Sequence, residues 1–203
     1  MNYTYIIIAI TAIVSIIAFN DRNTYNKLIL YPYAMNTPSE YYRLLSSGFI
    51  HADWGHLIFN MVTFYSFGSN MELICNEISN KYMYIILYLS GIVVASLPAF
   101  FKHRNHSLGA SGGVSAVLFA TIYFFPWAEI GLFIIPKGIP GILYGVLFLA
   151  FSAYMSRKGS DNIAHDAHFW GSVYGFVFAF VLDLNSPYTH GFRFINQIMH
   201  PQF

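Results

Sequence analysis

The sequence is poor in charged residues and in cysteine. Of its 203 residues only 9% are charged, whereas 56% are hydrophobic and 19% are aromatic. A soluble globule needs more charged surface than this, so the composition predicts an integral membrane protein in contact with the lipid bilayer. The formal net charge of +1 argues against a nucleic-acid partner. The single cysteine, Cys75, excludes an internal disulfide and a cysteine-based zinc site.

The chain also lacks features of signals and linkers. No basic stretch precedes the first apolar run, Tyr5 to Phe19, and no clear small-residue cleavage site follows it. We therefore expect a retained membrane helix. No linker or low-complexity tract is visible, which favours a single domain over residues 1–203. Because no organelle-targeting extension is evident, we expect the plasma (inner) membrane as host. The oligomeric state stays open.

Long apolar runs are what the sequence does contain. Runs of about 20 residues can cross the hydrocarbon layer. Six candidates lie at residues 3–20, 54–72, 81–101, 109–126, 139–156 and 165–184. They predict an all-α membrane protein, a bundle of six transmembrane helices. The second run carries His56, Asn60, Thr63 and Ser66, whose polar atoms must face protein or trapped water.

The second, fourth and sixth runs cross in the same direction, so their N-terminal ends share one side of the membrane. His56 and Asn60 stand near the start of the second run, Ser111 opens the fourth and His168 opens the sixth. Chain topology alone therefore brings four polar side chains to similar depth. Their convergence is the strongest internal argument for a functional site.

Ser111 lies among glycines. Gly109 precedes it, and Gly112 and Gly113 follow it. Glycines let a neighbouring helix or a substrate backbone approach closely, which makes Gly109 and Gly112 candidates for substrate binding. A G-x-S-G tetrapeptide is a weak signal by itself, since it equally describes a helix-packing face that includes Gly113.

His168 is followed at helical spacing by Gly171 and Gly175. This small-residue stripe can pack against the small face of the fourth run. Such packing would bring the imidazole within reach of the Ser111 hydroxyl, and a base that takes the proton makes that hydroxyl a nucleophile. His165, one turn earlier, is the competing base, but His168 lies deeper and is favoured. A histidine that only caps a helix end is the alternative.

His56 and Asn60 are spaced i,i+4 and share one helix face. Together with the Ser111 amide they can hold a developing oxyanion, where each donor is typically worth about 3 kcal/mol. The alternative is a hydrogen-bonding pair that only joins helices. Asp166 points to another face than His168, so the sequence predicts a dyad and no triad.

The residues favour two other classes of function less strongly. A metal-dependent hydrolase could draw on His51, His56, His165, Asp166 and His168. No H-E-x-x-H pair is present, however, and the serine would go unused. A channel or transporter usually shows repeated halves and intramembrane charges, which this chain lacks. The sequence predicts neither a metal nor a cofactor.

The motifs, in this order, resemble the rhomboid intramembrane serine proteases. That family's H-x-x-x-N, G-x-S-G and A-H-x-x-G-x-x-x-G patterns are similar to the segments beginning at His56, Gly109 and Ala167. The resemblance covers about residues 40–184. Further similarity is found at Glu40 to Arg43, at His51, at Gly68 and at Glu72.

The resemblance implies a six-helix bundle around a water-filled cavity. It implies Ser111 as nucleophile, His168 as general base and acid, and an oxyanion hole of His56, Asn60 and the Ser111 amide. The implied substrate is a single-pass membrane protein, cut near the end of its transmembrane helix after a small residue. A catalytically inactive rhomboid-like protein that binds and routes membrane clients is the alternative.

Position 115 departs from the family pattern. One turn after the nucleophile the family often has an aromatic ring that stacks on the catalytic histidine, whereas this chain has Ser115. Phe169, Trp170 and Tyr174 are candidates to support His168 instead.

The charges also depart from expectation. The resemblance implies a cytoplasmic N terminus, which leaves most lysines and arginines in exterior loops, against the positive-inside rule. The exterior set is Arg22, Lys27, Arg43, Lys102, Arg104, Arg157 and Lys158, and the cytoplasmic set is Lys81, Lys137 and Arg193.

Overall fold

Helices make up most of the computed structural model, which describes residues 2–78, 82–102, 106–132, 135–158, 164–186 and 190–201. Lys81 and Arg104 lie outside these described residues. The helices are α1 (Tyr3–Asn20), α2 (Arg22–Leu28), α3 (Arg43–Ser46), α4 (Trp54–Ile78), α5 (Tyr82–Phe101), α6 (Ser111–Phe124), α7 (Gly141–Lys158), α8 (His165–Leu184) and α9 (Arg193–Met199). Short 3-10 turns cover Pro32–Ala34, Pro38–Glu40 and Ser47–Phe49.

Within the described residues, three helices are long and apolar enough to cross a membrane. They are α1, α5 and α8, with mean hydropathy of 2.0, 2.0 and 1.4. Helix α6 is apolar but has only 14 residues. At 1.5 Å per residue it is about 21 Å long, less than the roughly 30 Å of a hydrocarbon core. Helices α4 and α7 follow the second and fifth apolar runs of the sequence.

Helix α6 forms the centre of the structure. Every residue from Gly112 to Phe124 is buried, and α8, α5 and α4 all pack against it. A helix that is apolar all round can be enclosed in this way without burying unpaired polar groups. Ser111, the first residue of α6, therefore lies where the enclosed helix begins.

The segment between α6 and α7 departs from the all-α prediction. The fifth run was predicted from residue 139, but α7 begins at Gly141. Strands β1 (Glu129–Leu132) and β2 (Ile135–Pro140) precede it and pair antiparallel. Three prolines fall within residues 126–140, and proline inside a helix removes a hydrogen bond and clashes with the preceding turn. The fold is thus mainly helical and not helical throughout.

The connection between α1 and α4 is tied to the rest of the chain. The Arg43 guanidinium donates to carbonyl oxygens at and just beyond the end of α2, at 2.6–3.0 Å, and pairs with Glu40. A cation suits the carbonyls at a helix C-terminus. Leu30 and Ser107 exchange two backbone hydrogen bonds of 3.0 and 3.1 Å. This connection therefore holds the segment that leads into Ser111.

Candidate active site

A cavity of about 920 Å³ lies between α4, α6 and α7 and reaches the start of α8. Its wall includes His56, Asn60, Ser111 and His168. Four side chains from three helices, singled out by sequence motifs, thus border one space. Much of the remaining wall is apolar, which is typical of a site that binds an apolar chain and fixes it with few polar groups.

Glycines of α8 place His168 beside α6. Gly171 lies directly against the backbone carbonyl of Gly112, and Gly175 lies against that of Ala116. A Cβ atom at either glycine would overlap the carbonyl oxygen, so only glycine permits this approach. The two helix axes are drawn together near their N-terminal ends, as small residues allow in membrane bundles.

Gly113 points to a different neighbour. A Cβ there would lie 2.8 Å from Ile92 and 3.0 Å from Tyr88, both on α5. Gly112 also has Ala95 of α5 close to the position of a Cβ. The small residues of α6 therefore serve two contacts, one with α8 and one with α5.

Gly109 shapes the entry to α6. Its φ of +114° lies in the region that L side chains rarely adopt. Its N–H donates to the carbonyl of Ser47 at 2.9 Å, and a Cβ would lie 2.7 Å from Cε1 of His56. Conformation and space both require glycine here. The result is a sharp turn that passes directly beside the His56 ring just before Ser111.

A buried hydrogen-bond chain holds the residue before Ser111. The Ala110 N–H donates to Nε2 of His51 at 3.3 Å, and Nδ1 of His51 lies 2.9 Å from Oγ of Ser15. Ser15 in turn donates to the carbonyl of Phe49 at 3.0 Å. Because Nε2 accepts and the Ser15 proton is committed to Phe49, His51 must carry its proton on Nδ1. Helix α1 is thereby linked to the start of α6.

His51 is suited to this role by its surroundings. The side chain is fully buried in the loop before α4. Burial, with a smaller contribution from His56, lowers the pKa of His51 from 6.5 to about 3, although Asp53 opposes the shift. The neutral form is thus kept at physiological pH. Sequence reasoning had placed His51 only among metal candidates and family matches, because its partners lie in distant segments.

His56 and Asn60 stand on the first turns of α4. Asp53 caps this helix, since its carboxyl group accepts the His56 N–H at 2.8 Å. The His56 ring lies edge-on to His51, with centroids 4.9 Å apart. The Asn60 amide donates one N–H to the His56 carbonyl at 2.9 Å. An amide group has two N–H donors, so the second can serve a ligand.

His168 and His165 differ in their access to the cavity. Among the described residues, the cavity wall includes His168 but not His165, which is buried and lies 5.8 Å from His168 between ring centroids. The Asp166 carboxylate lies 3.7 Å from the Lys102 ammonium, on the α5 side. Within the ranges that the structure describes, no three His, Cys, Asp or Glu side chains are placed to hold a metal ion.

A phenylalanine of α7 lies beside His168. Phe148 lies with its centroid 6.0 Å from that of His168, at an interplanar angle of 30°. Tyr174 hydrogen-bonds to a serine of α5 at 2.6 Å, and Phe169 and Trp170 pack against each other. The sequence proposed these last three for the support of His168 and did not identify Phe148.

Known proteins are similar to this chain over much of its length. A model of the rhomboid domain matches residues 38–184, which end where α8 ends. Rhomboid protein 1, mitochondrial, of Saccharomyces cerevisiae is 32% identical over 151 residues, 68% of this chain and 41% of that protein. RHOMBOID-like protein 12, mitochondrial, of Arabidopsis thaliana is 29% identical over 150 residues, 64% of this chain and 43% of that protein.

A bacterial relative aligns over most of its own length. Rhomboid protease GlpG of Haemophilus influenzae is 27% identical over 168 residues, 81% of each chain. By contrast, the chain spans less than half the length of each of the two mitochondrial relatives. The matched residues include the cavity-lining helices α4, α6, α7 and α8. The chain also has helices that are long and apolar enough to span a bilayer. The chain is an integral membrane protein and belongs to the rhomboid family.

Proposed function

We propose that the chain is an intramembrane serine endopeptidase that cleaves transmembrane segments of single-pass membrane proteins. In this proposal α1, α4, α5, α6, α7 and α8 form one six-helix transmembrane domain. The observation that carries the proposal is the shared cavity wall of Ser111, His168, His56 and Asn60. A nucleophile, a base and oxyanion donors are the groups that acyl transfer needs.

Acylation comes first. Ser111 Oγ attacks the scissile carbonyl carbon while His168 accepts the hydroxyl proton. Negative charge develops on the carbonyl oxygen, and the donors for it are His56, Asn60 and the Ser111 N–H. That N–H is available because the first amides of a helix have no acceptor within the helix. His168 then gives its proton to the leaving nitrogen, the carbon–nitrogen bond breaks, and an ester on Ser111 remains.

Deacylation repeats these roles with water. His168 takes a proton from a water molecule as its oxygen attacks the ester carbon. The same donors hold the second oxyanion. Proton transfer from His168 to the Ser111 oxygen releases the new carboxyl end and restores the enzyme. Loss of one oxyanion donor costs about 100-fold or more in turnover.

The location of the site favours a membrane substrate. Helix α6 is too short to cross a bilayer alone, so the end that bears Ser111 can lie below the lipid surface. A peptide bond is protected inside a helix, and its cleavage requires local unwinding. Unwound backbone is tolerated at that depth only in a cavity that provides polar partners, and the cavity beside Ser111 provides them through α4.

The plasma membrane, which we expected from the sequence as host, has no support from relatives named mitochondrial. We propose the orientation of the chain from the family pattern. The family orientation places the N terminus in the cytoplasm. A reporter fused after Phe203 should then be found on the cytoplasmic side, because six crossings return the chain to it. A reporter on the exterior side would overturn this orientation.

Dyad variants test the proposed activity. Purified protein in detergent or lipid should cleave a transmembrane substrate, and Ser111→Ala and His168→Ala should each abolish cleavage. Ser115→Ala, one turn along the same cavity wall, is the matched control and should keep activity. A serine-reactive fluorophosphonate should label the wild type and Ser115→Ala but not Ser111→Ala.

The inactive alternative gives a different result. A rhomboid-like protein that binds and routes clients would retain a membrane client equally in the wild type and in Ser111→Ala, with no cleavage product. Fluorophosphonate labelling of the wild type no stronger than that of Ser111→Ala would also contradict a serine protease.

A further inference from the structure

Helix α7 packs aromatic rings against both histidines at the start of α8. Phe148 lies 6.0 Å from His168, and Phe151 lies 5.6 Å from His165, between ring centroids. The two phenylalanines are spaced i,i+3 and thus share one face of α7. His165 and His168 are themselves 5.8 Å apart and edge-on. His168 therefore has a ring neighbour on its own helix and another on α7.

Phe148 is itself fixed by neighbours. Phe119 of α6 lies 5.8 Å away and Tyr144 of α7 lies 5.7 Å away, the latter nearly parallel at 20°. Phe148 also belongs to the rim of a buried apolar cluster around Phe119. Aromatic pairs at such separations attract each other beyond simple burial. The Phe148 ring is therefore fixed in the cavity wall by contacts with both Phe119 and Tyr144.

Position 115 makes this contact consequential. Ser115 lies one turn after Ser111 on α6 and lines the same cavity as Phe148 and His168. A serine there offers no ring surface. Ser115 therefore gives the imidazole no ring contact, whereas Phe148 of α7 does.

We propose that Phe148 is a positioning residue for His168. This inference rests on the proposed serine protease function. The ring limits rotation of the imidazole, and a centroid separation of 6.0 Å is within the range in which an aromatic ring favours a cation such as the imidazolium that forms during acyl transfer. Its contribution is made when the proton moves, so it affects the chemical step and not the binding of substrate.

Substitutions that separate the ring from its bulk test the inference. Phe148→Leu keeps most of the apolar volume but removes the ring. We expect fluorophosphonate labelling and kcat to fall about tenfold, with little change in KM or in thermal stability. Phe148→Tyr keeps the ring and should label near the wild-type rate. Leu147→Ala, at an exposed neighbouring position of α7, is the control for a shortened side chain on this helix.

Three results would overturn the inference. They are labelling of Phe148→Leu at the wild-type rate, a Phe148→Tyr variant as slow as Phe148→Leu, and a raised KM with kcat unchanged. The last would assign Phe148 to substrate binding. Failure of the proposed function is distinguishable from these, because the wild type itself would then show no labelling above Ser111→Ala.

Discussion

The two contacts that position Ser111 are built on different physical principles. On the α8 side, Gly171 and Gly175 lie against backbone carbonyls of α6, and the contact has no room for a side chain. On the loop side, a hydrogen-bond chain from His51 holds the Ala110 amide. The first contact depends on glycines that have no side chain, and the second depends on which atoms donate and accept hydrogen bonds.

The two contacts tolerate different kinds of change. Packing against a rigid backbone carbonyl is indifferent to pH but sensitive to a single added carbon, because neither helix can yield locally. A hydrogen-bonded histidine accepts modest changes of size but depends on its protonation state. Stability measurements on variants of the two contacts should therefore respond to different perturbations.

Gly175→Ala should have the largest effect. The added Cβ would overlap the Ala116 carbonyl oxygen, and α6 and α8 would have to separate along their contact. We expect a loss of about 3 kcal/mol in the free energy of unfolding, measured by thermal or denaturant unfolding in detergent. The proposed proteolytic activity should fall with it, since His168 would move away from α6.

Gly145→Ala on α7 is the matched control for this change. A Cβ there would make ordinary contacts of 3.4 Å with Phe119 and 3.5 Å with Ile122. Alanine is also favoured over glycine inside a helix by about 0.5–1 kcal/mol. This variant should be as stable as the wild type or slightly more stable. Equal losses in both variants would mean that the α6–α8 contact is not specially constrained.

His51→Ala should have an intermediate effect. The substitution leaves the buried Ala110 N–H without its acceptor and removes one of the two hydrogen-bond partners of Ser15. We expect a loss of about 2 kcal/mol in unfolding free energy, together with slower fluorophosphonate labelling. His51→Gln, which keeps an acceptor and a donor, should recover part of both. No recovery in the glutamine variant would argue that shape alone matters at this position.

The pH dependence of stability should show the smallest effect. The pKa of His51 is lowered to about 3 in the folded chain, against about 6.5 in the unfolded chain. Between these two pH values His51 binds a proton in the unfolded state but not in the folded state. The contribution of neutral His51 to the free energy of unfolding is therefore fully present well above pH 6.5 and is lost as the pH is lowered. At pH 5.5 the expected loss is about 1.4 kcal/mol.

Non-titrating His51→Gln provides the comparison for the pH measurement. Thermal unfolding of both proteins from pH 7.5 to 5.5 should show a steeper decline in the wild type. Other histidines titrate in both proteins and cancel in the difference. Parallel pH profiles would show that His51 is not the group responsible.

Much of the site could be predicted from sequence because its signals are local. Six helices coincide with apolar runs of suitable length, namely α1, α4, α5, α6, α7 and α8. The spacings around His56, Ser111 and His168 placed these residues near helix starts, and those starts border one cavity. The 129–140 segment was missed because paired strands depend on partners across a turn, whereas proline only indicates where a helix cannot continue.

Contacts between distant helices were beyond the reach of these patterns. Phe148 belongs to an apolar run whose members look alike in sequence, and nothing local indicates which of them faces α8. His51 likewise gave no sign of its bonds to Ser15 and Ala110. Such roles are decided by how whole helices rotate against one another.

The amino-acid sequence is sufficient to identify a membrane protein, the family that it resembles and the polar residues near the starts of its helices. Composition and spacing suffice there, because burial in lipid and helical periodicity act on neighbouring residues. The packing of the helices is needed to show which face of α6 meets α8, which histidine borders the cavity and that Phe148 lies beside it. Those choices follow from close packing of complete surfaces, where one glycine opposite one carbonyl sets the position of a helix.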